Sequence, residues 1–124
     1  MSDRARLVRL GAIAMAFGVA LGAFGAHGLK SRLAPDLLAI YETGVHYHLV
    51  HGLAVLITAW LAGEEETRAA RAAGLLFVVG ILLFSGSLYL LALTGIRALG
   101  AVTPLGGLAW IAAWTMLAFR VRLR

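Results

Sequence analysis

Residues 72–96 read Ala-Ala-Gly-Leu-Leu-Phe-Val-Val-Gly-Ile-Leu-Leu-Phe-Ser-Gly-Ser-Leu-Tyr-Leu-Leu-Ala-Leu-Thr-Gly-Ile, without a single Asp, Glu, Lys or Arg. A helix needs about 20 predominantly apolar residues to cross a bilayer, so this stretch predicts a membrane span. Three further stretches without a charged residue occupy 10–26, 43–63 and 98–119. Because four spans leave little chain over, we predict an all-α membrane protein with a single domain, 1–124.

The composition supports this class. Of the 124 residues 61% are hydrophobic and 14% charged, the mean hydropathy is +0.90, and there is no cysteine. A soluble domain has about 25% charged residues, and a chain without cysteine forms neither disulfides nor thiolate metal sites. The net charge of +5 comes from arginines that flank the apolar runs. We therefore expect the lipid bilayer, and no nucleic acid, as a partner.

Short connections predict an antiparallel, left-handed four-helix bundle, since successive spans must run up and down. The expected spans are about 8–27, 44–62, 73–94 and 103–119. Pro35 followed by Asp36 predicts a helix start. Residues 35–43 are expected to lie in the interface, either as a short separate helix or as part of one helix with the second span, with Gly44 as the natural place for a bend.

Glycine, threonine and proline predict two further helix ends. Gly28 suits a C-terminal cap after the first span, and Thr103 before Pro104 suits an N-terminal cap for the fourth. The loop between the second and third spans carries the acid triplet 64–66, which is typical of solvated surface.

The basic residues predict that both termini are cytoplasmic. Three precede the first span, two lie between the second and third, and three follow the fourth, eight in all. The opposite side has Lys30, Arg32 and Arg97, and positive charge concentrates on the cytoplasmic side. The expected location is the plasma membrane, which is the inner membrane of a bacterial cell. A basic start before an apolar run is also the pattern of a signal peptide, with a cleavage site near 22–26.

Small residues predict where helices approach one another. When the first run is wound at about 3.6 residues per turn, one stripe collects Gly11, Ala14, Gly18, Gly22 and Gly25. A small-xxx-small pair such as Gly18 and Gly22 allows close helix packing, whereas a leader peptide needs no such groove. The other predicted packing positions are Gly80, Ser87 and Thr94 in the third span, and Gly106 and Gly107 in the fourth. Glycine is also common in membrane helices, so composition alone is the alternative explanation.

Residues 41–52 hold three of the four histidines. Glu42 and His46 share one helix face, whereas Tyr47 and His51 share nearly the opposite one, with His48 close to His51. We expect His46 and His48 to be interfacial and wet. Polar groups inside a membrane are rare and are often functional, so we predict one polar layer in the outer half of the membrane, formed by His27, Glu42, Tyr47, His51, Ser85, Ser87 and Tyr89.

Within this layer His51 and Ser87 are expected at the same depth, about 10 Å from the outer end. His51 should contact a polar group of another span, with Ser87 or the end of the first span as the candidates. The sequence has no Gly-x-Ser-x-Gly motif, and no predicted span carries an acidic residue that could complete a catalytic triad, so we expect no hydrolase site. We therefore expect no catalytic residue, no metal and no cofactor.

Four motifs resemble a known family. They are Gly-Ala-Phe-Gly-Ala-His at 22–27, Thr43-Gly44 with Tyr47 and His51, Phe-Ser-Gly-Ser-Leu-Tyr at 84–89, and Thr103-Pro104 with Gly106-Gly107. In this order and spacing the chain resembles the YgdD-like family of small four-span inner-membrane proteins, which has relatives among eukaryotic small transmembrane proteins. His46 and His48 are not part of that pattern. The resemblance implies a fold and a location but no reaction.

Three functions fit these features. The favoured one is a non-enzymatic bundle whose polar groups pack its own helices or dock a partner, either a second copy or another membrane protein. The second is metal or cofactor binding through His27 and His51, because neutral imidazoles between bundle helices are suitable ligands. The third is a proton or small-solute path through Glu42, Tyr47, His51 and the serines.

Overall fold

The computed structural model describes residues 1–63 and 67–121, and the described chain is helical without a strand. Within these ranges four helices are long and apolar enough to cross a membrane. We call them the first span (Asp3–Leu29), the second span (Pro35–Leu61), the third span (Arg68–Thr94) and the fourth span (Arg97–Arg120). The predicted fold class, an all-α bundle of four transmembrane helices, is confirmed.

The spans combine α-helical segments with tighter or wider turns. The first consists of Asp3–Phe24 and a π-helical turn at Gly25–Leu29, whereas the second is one α-helix over Pro35–Leu61. The third begins within the helix Thr67–Gly80 and continues with a π-helical turn at Ile81–Ser85 and a helix at Gly86–Thr94. The fourth begins with a 3₁₀ turn at Arg97–Ala101 and continues as the helix Thr103–Arg120.

Successive spans are antiparallel, as their contacts show. Along the first and second spans the facing pairs are Gly11 with Leu56, Gly18 with Leu49, and Gly25 with Tyr41. Along the third and fourth they are Gly80 with Trp110, Phe84 with Gly106, and Ser87 with Thr103. In both lists the residue number rises along one helix while it falls along its partner, by equal steps or steps that differ by one residue. The largest interfaces join the first span to the second, the third to the fourth and the second to the third.

The glycine stripe of the first span lies against the second span. A Cβ added to Gly18 would lie 2.7 Å from Cδ2 of Leu49, and one added to Gly11 would lie 2.7 Å from Cδ2 of Leu56. Carbon atoms do not approach so closely, so these side chains occupy the space that the glycines leave free. The hydrophobic effect does not drive helices together in lipid, so van der Waals contacts at such close range stabilise the pair instead.

The second span begins at Pro35, as predicted, with Asp36 in its first turn. No separate interfacial helix precedes it, because residues 35–43 belong to the same continuous helix. The helix also continues through Gly44. A Cβ on Gly44 would lie 2.9 Å from Cε1 of Tyr89, so this glycine admits the third span at close range.

Two predicted caps are wrong. Gly28 lies within the π-helical turn and does not adopt a left-handed conformation. Among the described residues Gly95 alone has a positive φ, 73°, and it ends the helix Gly86–Thr94 by donating its N–H to the Leu91 carbonyl. Thr103 does not cap the fourth helix, because it lies inside the first turn and its hydroxyl bonds to Ser87.

Two ion pairs join neighbouring spans at opposite ends of the bundle. Arg71 donates to Asp3 at 3.1 Å, and Arg97 donates to Asp36 at 2.7 Å. Both pairs are exposed, and exposed pairs contribute about 0–1 kcal/mol. The acid triplet that we expected to be solvated surface lies outside the described residues.

Candidate functional site

Most of the polar side chains buried in the bundle belong to the second span or contact it. Among the residues whose burial the structure describes, five that are polar or charged are less than a tenth exposed: His48, His51, Thr58, Ser85 and Ser87. Three belong to the second span and two to the face of the third span that packs on its neighbours. This central position follows from the topology, because the second span packs against both the first and the third.

His48 connects the second span to both neighbours. Its Nε2 lies 2.7 Å from the Ala14 carbonyl of the first span, and its Nδ1 lies 2.8 Å from the Tyr89 hydroxyl of the third. A carbonyl only accepts, so Nε2 carries the proton. In the neutral ring Nδ1 is then the acceptor, and the Tyr89 hydroxyl donates to it. The imidazole therefore uses both nitrogens to hold three helices together.

His51 is bonded with the opposite tautomer. Its Nδ1 lies 2.8 Å from the Tyr47 carbonyl one turn earlier, so Nδ1 is the donor. Its Nε2 accepts a hydrogen bond from Nε1 of Trp114 in the fourth span, at 3.1 Å. An indole N–H is a donor only, which requires a neutral imidazole with a free lone pair on Nε2. The ring also stacks on Trp110, with centroids 3.7 Å apart and planes at 3°.

An aromatic cluster surrounds His51. The Trp110 N–H donates to the Phe77 carbonyl at 3.1 Å, while the Phe77 ring meets Trp114 at 67° with centroids 4.7 Å apart. Tyr47 also stacks on Trp110, with ring centroids 5.8 Å apart and planes at 10°. Offset and edge-to-face pairs add about 0.5–1.5 kcal/mol each beyond their burial. This cluster joins the second, third and fourth spans.

Tyrosine and serine hydroxyls bond to the backbone of neighbouring spans. The Tyr41 hydroxyl donates to the Leu21 carbonyl at 2.6 Å, and the Ser85 hydroxyl donates to the Gly44 carbonyl at 2.7 Å. The Tyr41 ring is fully buried and lies 5.2 Å from that of Tyr89. Each hydroxyl thus has a partner on another helix.

Ser87 faces the fourth span. Its hydroxyl lies 2.6 Å from the Thr103 hydroxyl and donates to the Phe84 carbonyl of its own helix at 2.8 Å. Thr103 is therefore the donor to Ser87, because the single proton of Ser87 is used on Phe84. Gly80, seven residues earlier, lies under Trp110 of the same neighbour. Thr94, the third member of the predicted seam, is exposed and bonds to the Leu90 carbonyl.

The glycines predicted for packing differ in how closely they are approached. A Cβ on Gly22 would lie 3.2 Å from Cγ1 of Val45, and one on Gly106 would collide with the Phe84 backbone and lie 2.9 Å from the Gly80 carbonyl oxygen. The nearest atom to a Cβ on Gly107 is 3.9 Å away, which is an ordinary contact.

Three other polar residues of the predicted layer are exposed rather than buried. His27 lies in the π-helical turn at the end of the first span, and Glu42 lies on the outward face of the second. His46 is exposed as expected, whereas Tyr47 is 43% exposed although its ring packs on Trp110 and Phe84. The predicted members therefore do not form one cluster.

The expectation that His51 and Ser87 share a depth is wrong. Ser85 bonds to Gly44, whereas His51 is seven residues further along the second span and packs on Phe77, at a centroid distance of 5.8 Å. Seven residues correspond to about 10 Å of helix. The expected depth of His51 takes Gly44 as the start of the span, whereas the helix begins nine residues earlier at Pro35. The polar contacts form a ladder along the second span instead of one layer.

The surroundings of two histidines differ from those predicted from the sequence. His48 was expected to be wet but is 4% exposed and has two partners. His51 does contact a polar group of another span, but that group belongs to Trp114 instead of Ser87 or the first span. Trp110 and Trp114 are four residues apart, as are Tyr47 and His51. Two aromatic pairs with this spacing, on helices that face each other, were the sequence pattern from which the contact between His51 and the tryptophans could have been predicted.

The hydrogen bonds of the buried histidines and hydroxyls are contacts within and between the helices of the bundle. Among the described residues no buried side-chain nitrogen or oxygen lacks a hydrogen-bond partner, and no group of three His, Asp or Glu is placed to hold a metal ion. Gly52, beside His51, faces Met15 of the first span, and His27 is twelve residues beyond Met15. That is about 18 Å of helix, so His27 and His51 do not form a shared site.

Comparison with known proteins places the chain in a family. The model of the family described as "Protein of unknown function (DUF423)" matches residues 21–107. The UPF0382 membrane protein YwdK of Bacillus subtilis (strain 168) is 48% identical over 109 residues, which cover 87% of this chain and 89% of the relative. The UPF0382 membrane protein SH2409 of Staphylococcus haemolyticus (strain JCSC1435) is 47% identical over 108 residues, 87% of this chain and 88% of the relative. No solved structure matches at a significant level. The chain belongs to this family of membrane proteins of unknown function.

Proposed function

We propose that this protein is a non-enzymatic helix bundle of the plasma membrane that acts through its shape, by packing against a second copy or another membrane protein. Its buried polar groups form hydrogen bonds that hold its own helices together. They give the bundle one register, so that its outward faces keep a fixed form. We also infer that the chain is a YgdD-like protein, on the four motifs that it shares in order and spacing with that family.

One observation carries the proposal: both nitrogens of each buried histidine already bond to protein. His48 is held by Ala14 and Tyr89, and His51 by Tyr47 and Trp114. A ligand, a proton relay or a metal would have to displace these partners. Interhelical hydrogen bonds stabilise membrane proteins by about 0.6 kcal/mol on average, and this use of polar side chains is common.

The outward faces are the surfaces available to lipid or to a partner. The first and fourth spans present large apolar side chains, among them Phe17, Leu108 and Ile111, each more than half exposed. The eight basic residues flanking one side, against three on the other, favour cytoplasmic N- and C-termini. A reporter that requires the cytoplasm, fused to the C-terminus, should be active; activity of an exported reporter there would contradict this orientation.

Photo-crosslinking in native membranes tests the partner role. A photoreactive amino acid is placed singly at Phe17, Leu108 and Ile111, and at the fully buried Phe77 as a matched control. We expect a protein–protein adduct of defined mass from one of the outward positions and none from Phe77. Adducts with lipid alone at every outward position would refute docking to a protein.

A second measurement tests the absence of a prosthetic group. The purified protein should have no visible absorption band, and metal analysis should find less than one equivalent. A stoichiometric metal or a haem spectrum that is lost in His51→Leu would refute the non-cofactor function, whatever the crosslinking result.

A further inference from the structure

A cleft lies between the first and third spans, at the end of the bundle where the chain begins. It is lined by Asp3, Arg6, Leu7, Leu10, Arg71 and Leu75. Nothing in the proposed function uses these residues. Charged groups form its mouth and leucines its floor, so its lining changes from polar to apolar along the helix axes.

The mouth carries one excess positive charge. Arg71 approaches Asp3 Oδ2 at 3.1 Å and Arg6 approaches Asp3 Oδ1 at 3.7 Å, both through Nη1. Two guanidinium groups and one carboxylate leave a charge of +1 on the lining. Each guanidinium has five N–H donors in a planar fork, so the contacts with Asp3 use a minority of them. The carboxylate holds both arginines at the mouth while donors remain for an anion.

The leucines of the lining lie further along the two helices, where the uncharged runs of both spans begin. Leu7 is 1% exposed and closes the bottom of the cleft, whereas Leu10 and Leu75 are 36% and 44% exposed and face outward. Leu10 is seven residues from Asp3, which is about 10 Å further along the helix. A molecule with one negative charge at one end and an apolar chain at the other matches this arrangement.

We propose that this cleft binds a phospholipid with a net charge of −1, with its phosphodiester at Arg6 and Arg71 and an acyl chain against Leu10 and Leu75. Arginine recognises phosphate through paired N–H donors, and basic pockets between membrane helices bind anionic headgroups. The lining charge and the headgroup charge cancel. Zwitterionic lipids leave the excess positive charge of the cleft unbalanced and bind more weakly.

The test measures lipid binding to the full-length protein in a neutral detergent, by native mass spectrometry during titration with phosphatidylglycerol or phosphatidylcholine. Detergent solution makes the result independent of the orientation and of any protein partner. We expect phosphatidylglycerol to bind more tightly than phosphatidylcholine. Arg6→Gln and Arg71→Gln should each weaken phosphatidylglycerol binding about fivefold, because one basic residue near an anionic lipid contributes roughly that factor.

Asp3→Asn separates lipid binding from simple helix fastening. It breaks the same ion pair as Arg71→Gln, but it raises the lining charge from +1 to +2. We therefore expect Asp3→Asn to strengthen phosphatidylglycerol binding about fivefold, while Arg71→Lys keeps it within about twofold. Arg97→Gln is the matched control, because Arg97 forms the same kind of exposed pair with Asp36 at the opposite end, and it should leave binding unchanged.

Several results would overturn the proposal. Equal binding of the two lipids would show that the cleft has no preference for an anionic headgroup. Weaker phosphatidylglycerol binding by Asp3→Asn would show that the arginines only form ion pairs with Asp3 and do not bind the phosphate. An equal loss in Arg97→Gln would indicate nonspecific attraction. Displacement of phosphatidylglycerol by inorganic phosphate at the same concentration would indicate a site for a free anion instead of a lipid.

Discussion

Replacing His48 by leucine tests whether the buried polar groups fasten the helices. The change removes the hydrogen bonds to the Ala14 carbonyl and to the Tyr89 hydroxyl, at 2.7 and 2.8 Å. Interhelical bonds in membrane proteins contribute about 0.6 kcal/mol on average and about 1.7 at most, so two contribute roughly 1–3 kcal/mol. The Tyr89 hydroxyl is then left without its partner, which costs about 1–3 kcal/mol more. We expect a loss of roughly 2–6 kcal/mol in the free energy of unfolding.

Equilibrium unfolding in mixed micelles, followed by helical circular dichroism, measures this loss. Tyr89→Phe supplies the second arm of a double-mutant cycle, because it removes the hydroxyl and keeps the ring. The coupling between His48→Leu and Tyr89→Phe should be about 0.6–1.7 kcal/mol. His46→Leu is the control, since His46 is two residues away and exposed, and it should change stability by less than about 0.5 kcal/mol. A His48→Leu protein as stable as His46→Leu, or a coupling near zero, would refute the reasoning.

Two further predictions concern packing at other positions. His51→Leu should destabilise the protein by roughly 1–3 kcal/mol, because the Trp114 N–H loses its acceptor, and His46→Leu should not; equal unfolding midpoints for the two variants would contradict the assigned bond. Gly18→Leu should lower the yield of folded protein, since even a Cβ would meet Leu49 at 2.7 Å and overpacking costs about 1–3 kcal/mol. Gly107→Ala, whose new Cβ would have its nearest neighbour at 3.9 Å, is the control and should be tolerated; similar losses in both variants, measured by size-exclusion chromatography, would argue against specific packing at Gly18.

The amino-acid pattern predicted the membrane fold because lipid imposes strong local rules. Every backbone polar group must be bonded within a span, so most of an uncharged run such as 72–96 becomes a helix, here as far as Thr94, whatever its neighbours are. Pro35 predicted the start of a helix for an equally local reason, since proline lacks the N–H that a first turn leaves unpaired. The glycine stripe of the first span indicated a close helix neighbour, because helical spacing alone collects those positions on one side.

The sequence did not determine which helix each polar group meets, because that depends on the register between helices. The register depends on how far each helix extends. The second helix already includes the nine residues before Gly44, which is level with Ser85, and His51 lies seven residues beyond Gly44, about 10 Å from that level. His48 was therefore misplaced, and Trp114 was not recognised as the partner of His51. Only the tertiary structure decided these pairings, since a hydrogen bond between spans forms at one relative height of two helices, and that height results from side-chain packing along their whole length.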